Sequence, residues 1–320
     1  MLMMTTNTEA GTSFESLANE LFLEIFKYLS RPLIYHSFHG LHIRLDKLIL
    51  GHSRNSHLDL RSISKVDFDI TFEKYLLDTF DLITSMCLSD DDDTPGQIDG
   101  YFLHGLEFRQ LVSLHSILFS NIRSEKSMDA IILDLPYLVN LINLTFEQCY
   151  FPSQNTLEKA LTYGNSIWSL PKLISFSFIV NYKYRQSHHI VDKYRRDNGI
   201  CICTSVISST LKCLSIIGVA YCSIDLMQLF THTPHLQCLS IDQSTTAQVG
   251  SNVIMKQLTE LSLSFNLTFT WNFQLSNILR NIPNLNYLKL DYDYGYPPMD
   301  GGDWEQIIRN HLPKLQRLEF

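Results

Sequence analysis

The segment Pro283-Asn-Leu285-Asn-Tyr-Leu288-Lys-Leu290 follows the pattern Pro-x-Leu-x-x-apolar-x-apolar. Three other segments match it: Pro171-Lys-Leu173-Ile-Ser-Phe176-Ser-Phe178, Pro234-His-Leu236-Gln-Cys-Leu239-Ser-Ile241 and Pro313-Lys-Leu315-Gln-Arg-Leu318-Glu-Phe320. Copies without the proline begin at Leu141, Leu211 and Leu258, and Leu138 is an alternative start for the first of them. Seven copies at intervals of 22 to 38 residues exceed what chance gives, so the pattern predicts a repeated structural unit.

The chemistry of the pattern predicts the structure of the unit. Proline ends a preceding helix and favours an extended entry. The leucine that follows turns inward, and the two alternating apolar residues after it point to one side of a short strand. Apolar segments with helical spacing precede Pro234, Pro283 and Pro313. Strands that alternate with helices predict an α/β fold with a parallel sheet.

Composition narrows the class of protein. The chain of 320 residues is 45% hydrophobic and 18% charged, which is ample material for a core. Its net charge of −8, without a stripe of Lys and Arg, argues against nucleic acid as a partner. The lack of a window of about 18 apolar residues predicts no membrane span. Seven unpatterned cysteines and a polar N-terminus predict a reducing compartment, the cytoplasm or the nucleus.

The N-terminal part of the chain differs from the rest. We expect residues 1–13 to be a disordered tail and residues 14–50 to form three short helices. Asn19 is a candidate N-cap of the first helix, Pro32 can open the second, and Gly40 can end it. Fewer than about 40 residues rarely bury such a surface alone. The helices therefore either cap the first strands of the repeat or dock on another protein.

The repeat is similar to leucine-rich repeats, whose period is about 20–29 residues. This resemblance implies a solenoid with a curved parallel sheet over residues 136–320. Residues 51–135 match the pattern poorly, and we expect degenerate repeats and loops there. Within them, Leu58-Asp-Leu60 and Leu111-Val-Ser-Leu114 are candidate strands.

The helical segment resembles an F-box. The resemblance lies in Phe14-Glu-Ser-Leu17-Ala-Asn-Glu20-Leu21-Phe-Leu-Glu-Ile25-Phe26-Lys-Tyr28-Leu29-Ser30 and, in divergent form, in Phe38-His-Gly40-Leu41-His-Ile43-Arg44-Leu45-Asp-Lys-Leu48. Two features of the family are missing: Leu17-Ala18 stands where Leu-Pro is usual, and the last helix lacks Cys-Lys-x-Trp. The implied fold is a short three-helix F-box followed by an irregular leucine-rich-repeat solenoid.

An F-box binds a Skp-type adaptor, which links it to the cullin of a cullin–RING (SCF-type) ubiquitin ligase. The resemblance therefore implies a substrate-receptor subunit that catalyses nothing and holds an unknown target protein on its repeats. The residues implied for adaptor binding are Leu17, Glu20, Leu21, Ile25, Phe26 and Leu29. The alternative is a leucine-rich-repeat scaffold that binds proteins and recruits no ligase.

The outward positions of the strands indicate where a target could bind. Small hydroxyl residues dominate the middle copies, where they can simply permit close packing of the strands. The last two copies instead carry larger and charged residues: Tyr287, Lys289, Asp291, Arg317 and Glu319. Tyr and Arg are common interface anchors, so these five residues are the predicted target-binding surface. The second candidate is the segment of residues 182–196, within the insertion at residues 182–199.

Motifs of catalysis and cofactor binding are missing from the sequence. It has no phosphate loop, zinc-protease helix or nucleophile elbow. Cys201-Ile-Cys203 with His188 and His189 lacks the paired Cys-x-x-Cys of zinc knuckles. We therefore predict no catalytic residue, no cofactor and no metal. The chain ends on the strand Leu318–Phe320 without a capping repeat, which predicts a fragment or an exposed edge.

Overall fold

The structure is a computed structural model that describes residues 14–29, 31–52, 56–61, 63–71, 80–92, 95–103, 105, 107–151, 157–180, 199–201, 204–217, 221–223, 226–243, 254–265, 271–292 and 300–320. The predicted tail, residues 1–13, and nearly all of the insertion, residues 182–198, lie outside these ranges.

Helices and strands alternate along most of the described chain. The helices are α1 (Asn19–Phe26), α2 (Arg31–Phe38), α3 (Ile43–His52), α4 (Lys65–Ile70), α5 (Gln97–Leu103), α6 (Glu125–Asp134), α7 (Leu157–Trp168), α8 (Leu226–His232), α9 (Trp271–Arg280) and α10 (Gly301–His311). The strands are β1 (Ser56–Asp59), β2 (Ile83–Ser89), β3 (Ser116–Ser120), β4 (Asn143–Glu147), β5 (Ser175–Ile179), β6 (Gly199–Cys201), β7 (Cys213–Ile217), β8 (Tyr221–Ser223), β9 (Cys238–Gln243), β10 (Glu260–Phe265), β11 (Tyr287–Tyr292) and β12 (Arg317–Glu319).

Ten of these strands form one sheet in which every neighbouring pair is parallel. Their order, β1-β2-β3-β4-β5-β7-β9-β10-β11-β12, follows the chain. The two remaining strands, β6 and β8, pair with each other in a separate parallel sheet. The predicted α/β class with a parallel sheet is confirmed, and each of the seven copies of the repeat supplies one strand.

The inward residues of the strands form two rows across the sheet, because equivalent positions pair in register. One row is Leu144, Phe176, Leu214, Leu239, Leu261 and Leu288; the other is Phe146, Phe178, Ile216, Ile241, Leu263 and Leu290. Every one of these side chains is at most 3% exposed. In the first copy, Leu141 rather than Leu138 lies two residues before its strand, as the first leucine does in each later copy.

Residues 51–135 are more regular than the sequence pattern indicates, since they supply β1, β2 and β3. The expectation of a strand at Leu58 is confirmed, because Leu58 lies in β1 and is fully buried. The candidate strand Leu111–Leu114 is wrong: this segment is a turn, and the strand follows at Ser116. Leu114 is instead the inward leucine that enters β3, two residues before the strand begins.

Aromatic residues make up much of the core within the first three helices. The ring centroids of Phe26 and Phe38 lie 5.3 Å apart, and those of Phe22 and Phe26 lie 6.4 Å apart. The guanidinium of Arg44 donates to the carbonyl of Leu17, which ties α3 to the segment before α1. Asn19 is not the N-cap: Ala18 occupies that position, and no side chain caps the helix.

This helical core is continuous with the core of the sheet. The buried residues of α1–α3 belong to the same cluster of contacts as those of the strands. Helix α2 also contacts α4, which follows β1. At the other end, β12 pairs only with β11 among the described strands, and Phe320 remains 65% exposed. None of the described helices is long and apolar enough to cross a lipid bilayer.

Candidate protein-binding surfaces

Side chains at alternate positions of the strands form the face of the sheet opposite the core. One row across this face reads Ser116, Asn143, Ser175, Cys213, Cys238, Glu260, Tyr287 and Arg317. The next row reads Leu118, Thr145, Ser177, Ser215, Ser240, Ser262, Lys289 and Glu319. The middle of the face is therefore lined by small side chains, and larger charged ones stand on the last two strands.

Three of the five predicted target-binding residues contact each other directly. The hydroxyl of Tyr287 donates to Oε2 of Glu319 at 2.7 Å. The guanidinium carbon of Arg317 lies 5.2 Å from the centroid of the Tyr287 ring, and Arg317 also forms an ion pair with Glu319. These contacts hold the side chains in one arrangement before any partner arrives, which lowers the entropy lost on binding.

The same contacts set the charge of this surface. The hydrogen bond from Tyr287 lowers the pKa of the Glu319 carboxyl, and the guanidinium of Arg317 lowers it further. That hydrogen bond in turn raises the pKa of the Tyr287 hydroxyl. At neutral pH, the surface therefore presents a neutral phenol, a carboxylate and a guanidinium.

The other two predicted residues lie farther along β11. Lys289 pairs in register with Glu319 and is half-buried. Asp291 is exposed and lies opposite Ser264 of β10, four residues along the strand from Tyr287. The structure thus brings Tyr287, Lys289, Arg317 and Glu319 together, whereas Asp291 stands apart from them.

A groove of about 530 Å³ opens where β10, β11 and β12 begin. Its lining residues are Thr259, Glu260, Asn286, Tyr287, Gln316 and Arg317. Sequence reasoning missed Thr259, Asn286 and Gln316, because it considered only positions within the strands. The residue just before the first outward position of each strand could have indicated this groove. It is apolar in two earlier copies, at Ile142 and Ile174, and polar in the last three copies.

A smaller depression of about 140 Å³ lies over the middle strands and includes Cys213 and Cys238, which pair in register. Burial raises the pKa of the Cys238 thiol to about 12, and the neighbouring Cys213 thiol contributes to this shift. A thiol with this pKa is protonated at neutral pH. Because the thiolate is the nucleophilic form of cysteine, Cys238 is then a weak nucleophile.

The residues predicted to bind the adaptor divide into exposed and buried groups. Leu21 is 51% exposed and Glu20 is exposed, while Leu17, Ile25 and Leu29 are half-buried. Phe26 is 1% exposed and packs inside the helical core. Leu21 and Ile25 lie four residues apart on α1, hence on one face of the helix.

One group of three residues could hold a metal ion. Ligand atoms of His57, Asp59 and Cys87 lie within 4.8 Å of one another, and it is the one such group among the residues described. Sequence reasoning missed it, because Cys87 lies 28 residues beyond Asp59. Of the alternative set in the sequence, Cys201 lies on β6, whereas Cys203, His188 and His189 lie outside the described residues.

No protein-family model matches the chain, and no curated protein matches it either. The resemblances to an F-box and to leucine-rich repeats therefore depend on the residues themselves. The function has to be inferred from the surfaces described above.

Proposed function

We propose that this chain is an F-box and leucine-rich-repeat protein, the substrate-receptor subunit of an SCF-type cullin–RING ubiquitin ligase. The helices at residues 14–50 dock a Skp-type adaptor, which bridges to the cullin, and a solenoid of repeats holds the target protein. Such a subunit accelerates ubiquitin transfer by holding the target close to the ligase, without catalytic residues of its own. It acts in the cytoplasm or the nucleus.

The observation that carries this proposal is the exposure of large aliphatic residues on the three N-terminal helices and the turns between them. Leu21, Leu33, Leu41 and Ile43 are 47% to 69% exposed. The helices already have a core, built around Phe22, Phe26 and Phe38. Aliphatic side chains that remain outside a filled core favour a surface that binds another protein.

The sheet supports the second half of the proposal. Each copy adds one strand beside the preceding one, an order typical of repeat proteins whose units contact only their neighbours. The outward face carries Tyr287 and Arg317, residue types that anchor many protein interfaces. Their mutual contacts and their open groove suit the surface of a protein partner better than an enclosed substrate pocket.

A scaffold without ligase recruitment is the second candidate, and two observations favour it. The helices share a continuous core with the first strands, and α2 contacts α4. A helical cap that only shields the end of the sheet would show the same packing. Ala18 stands where the F-box family has proline, which also keeps this candidate open.

Binding of a purified Skp-type adaptor to the full chain separates the two candidates. We expect 1:1 binding by calorimetry and a loss of at least about tenfold in affinity for Leu21→Asp, because a carboxylate without a partner would be buried at the contact. Leu21 is half-exposed, so the variant should melt as the parent does.

Leu133→Asp is the matched control, because Leu133 is 73% exposed on α6, far along the chain from the F-box. This variant should bind the adaptor as tightly as the parent. Failure of the parent to bind the adaptor would support the scaffold instead. Equal binding by Leu21→Asp and the parent would remove α1 from the docking surface.

A further inference from the structure

The first two strands of the sheet bring three metal-ligand side chains together. His57 and Asp59 are two residues apart on β1, so both point to the same face. Cys87 on β2 pairs in register with Asp59. One ligand atom from each residue lies within 4.8 Å of the other two. This corner is at the opposite end of the ten-stranded sheet from Tyr287 and Arg317.

We propose that His57, Asp59 and Cys87 form a zinc site with water as the fourth ligand. Imidazole, carboxylate and thiolate are the three side-chain groups that Zn²⁺ takes in proteins. Ca²⁺ and Mg²⁺ are excluded by the donor set, since both prefer several oxygen ligands and this group offers one carboxylate. The site lies outside the proposed adaptor and target surfaces and is independent of that proposed function.

The required movement is small. Bonds of about 2.0–2.3 Å to a tetrahedral Zn²⁺ place its ligand atoms about 3.5 Å apart. The three ligand atoms therefore need to close by about 1 Å from their outer limit of 4.8 Å. Because His57 is exposed, rotation of its side chain can bring a ring nitrogen closer to the ligand atoms of Asp59 and Cys87. The strands keep their register during this rotation.

Neighbouring residues orient two of the ligands. Nδ1 of His57 lies 2.9 Å from Oγ of Ser85, the residue that pairs with it across the strands. Arg61 donates from Nε and Nη2 to the two oxygens of Asp59 at 2.9 and 2.7 Å. Hydrogen bonds of this kind fix the direction of metal ligands. The backbone N–H of Arg61 also donates to Oδ1 of Asp59, at 3.0 Å. A carboxylate has about four lone-pair positions, so one position of Asp59 remains for an ion.

Binding has a simple proton balance. A bond forms between Zn²⁺ and Sγ of Cys87, the S–H bond breaks, and the proton passes to solvent. The carboxylate of Asp59 and a neutral nitrogen of His57 displace water from the ion. The thiolate and the carboxylate bring two negative charges to the two positive charges of Zn²⁺, and the guanidinium of Arg61 beside Asp59 adds one further positive charge. Affinity rises with pH because a proton is released.

The structural consequence is a bridge across the edge of the sheet. Within the described part of the chain, β1 pairs with β2 on one side only. An unpaired edge is a site where strands fray or join other chains. An ion that joins β1 to β2 would hold this edge in place, and it would stabilise the folded chain by mass action.

Co²⁺ is the probe for this site, because a Co²⁺–thiolate bond gives a charge-transfer absorption band. We expect the full chain to take up one Co²⁺ with this band and to lose the band when Zn²⁺ is added. Cys87→Ser should abolish it. His57→Gln, at an exposed position, should lower the affinity for Zn²⁺ at least about tenfold, in the range found for altered metal sites.

Two matched controls change three other cysteines of the chain. Cys213→Ser, and separately the double variant Cys201→Ser with Cys203→Ser, should keep the band at full intensity. Absence of the band in the parent, its persistence in Cys87→Ser, or unchanged Zn²⁺ affinity in His57→Gln would each overturn the site. Loss of the band in either control would move the thiolate ligand elsewhere and overturn it as well.

Discussion

The inward leucines of the strands and a set of aliphatic residues in the N-terminal helical region have opposite environments. Along the strands, Leu239, Leu261 and Leu288 are each at most 2% exposed, because every inner strand is covered by two neighbours and by a helical layer. In the helical region, Leu21 and Ile43 are 51% and 69% exposed, because aromatic rings already occupy the space between the helices. The inward leucines of the strands therefore stabilise the fold, whereas exposed aliphatic residues of the helical region such as Leu21 and Ile43 are available to a partner.

The largest expected effect separates these two environments directly. Leu261→Ala should lower the free energy of unfolding by about 2–5 kcal/mol, since it leaves a cavity between Leu239 and Leu288. Leu21→Ala should change it by less than about 0.5 kcal/mol. Urea unfolding of both variants measures the difference. Equal stability of Leu261→Ala and the parent would contradict the role of this row as core.

Ile25→Asp tests the boundary between the two environments, because Ile25 is half-buried on α1. A carboxylate there should cost about 1–3 kcal/mol of stability and should abolish binding of the Skp-type adaptor. Thermal melting and calorimetry of the same preparation measure the two effects. Adaptor binding by folded Ile25→Asp at the affinity of the parent would show that α1 does not contact the adaptor.

Tyr287→Ala combined with Arg317→Ala tests the polar end of the sheet. The double variant removes the hydrogen bond to Glu319 and the ring contact, so we expect weaker target capture with adaptor binding unchanged. Both side chains are partly solvent-accessible, so the loss of stability should stay below about 1 kcal/mol.

The measurement for this double variant is quantitative recovery of bound proteins, normalised to the adaptor in the same sample. Ser215→Ala with Ser240→Ala, in the small-residue part of the same face, is the control and should recover target as the parent does. Undiminished recovery with the double variant of Tyr287→Ala and Arg317→Ala would move the target surface to the insertion, with residues 182–196 as the next candidate.

The smallest effect is expected at Asp90, which follows β2 and accepts a hydrogen bond from the amide of Ile98 at 3.0 Å. Burial raises the pKa of this carboxyl. An acid with a raised pKa in the folded state stabilises the fold while protonated and loses that contribution as pH rises through the folded pKa. Asp90→Asn keeps the acceptor without the charge, so it should be more stable than the parent at neutral pH.

The pH dependence provides the check on this variant. The advantage of Asp90→Asn should vanish as pH falls towards about 4, where the carboxyl of an unfolded aspartate becomes protonated. Urea midpoints at neutral and acidic pH measure it. Asp67→Asn, at an exposed acidic residue of α4, serves as the comparison. A constant difference across this pH range would show that burial of Asp90 is not the cause.

Several parts of the fold could be predicted from the sequence, and the exceptions have clear reasons. The seven strands that the ten-stranded sheet has after residue 136 follow from the pattern, because in each of them two alternating apolar residues come after an entry leucine. The copies that begin at Ile83 and Leu114 were missed. Ile83 stands where the pattern has leucine. Leu114 comes three residues after Leu111, and this spacing places the strand at residues 111–114 instead of after Leu114. Each still enters its strand as a buried residue.

The inward rows of the sheet and the α/β class can be derived from the amino-acid sequence, because alternation within a strand and the proline before it are local properties of the chain. The contacts between outward residues depend on the folded arrangement. Tyr287 and Glu319 lie 32 residues apart in the sequence, and Cys87 meets Asp59 on the neighbouring strand. Such pairs depend on the register between strands, which forms only when connections of unequal length fold back and the inward rows pack together.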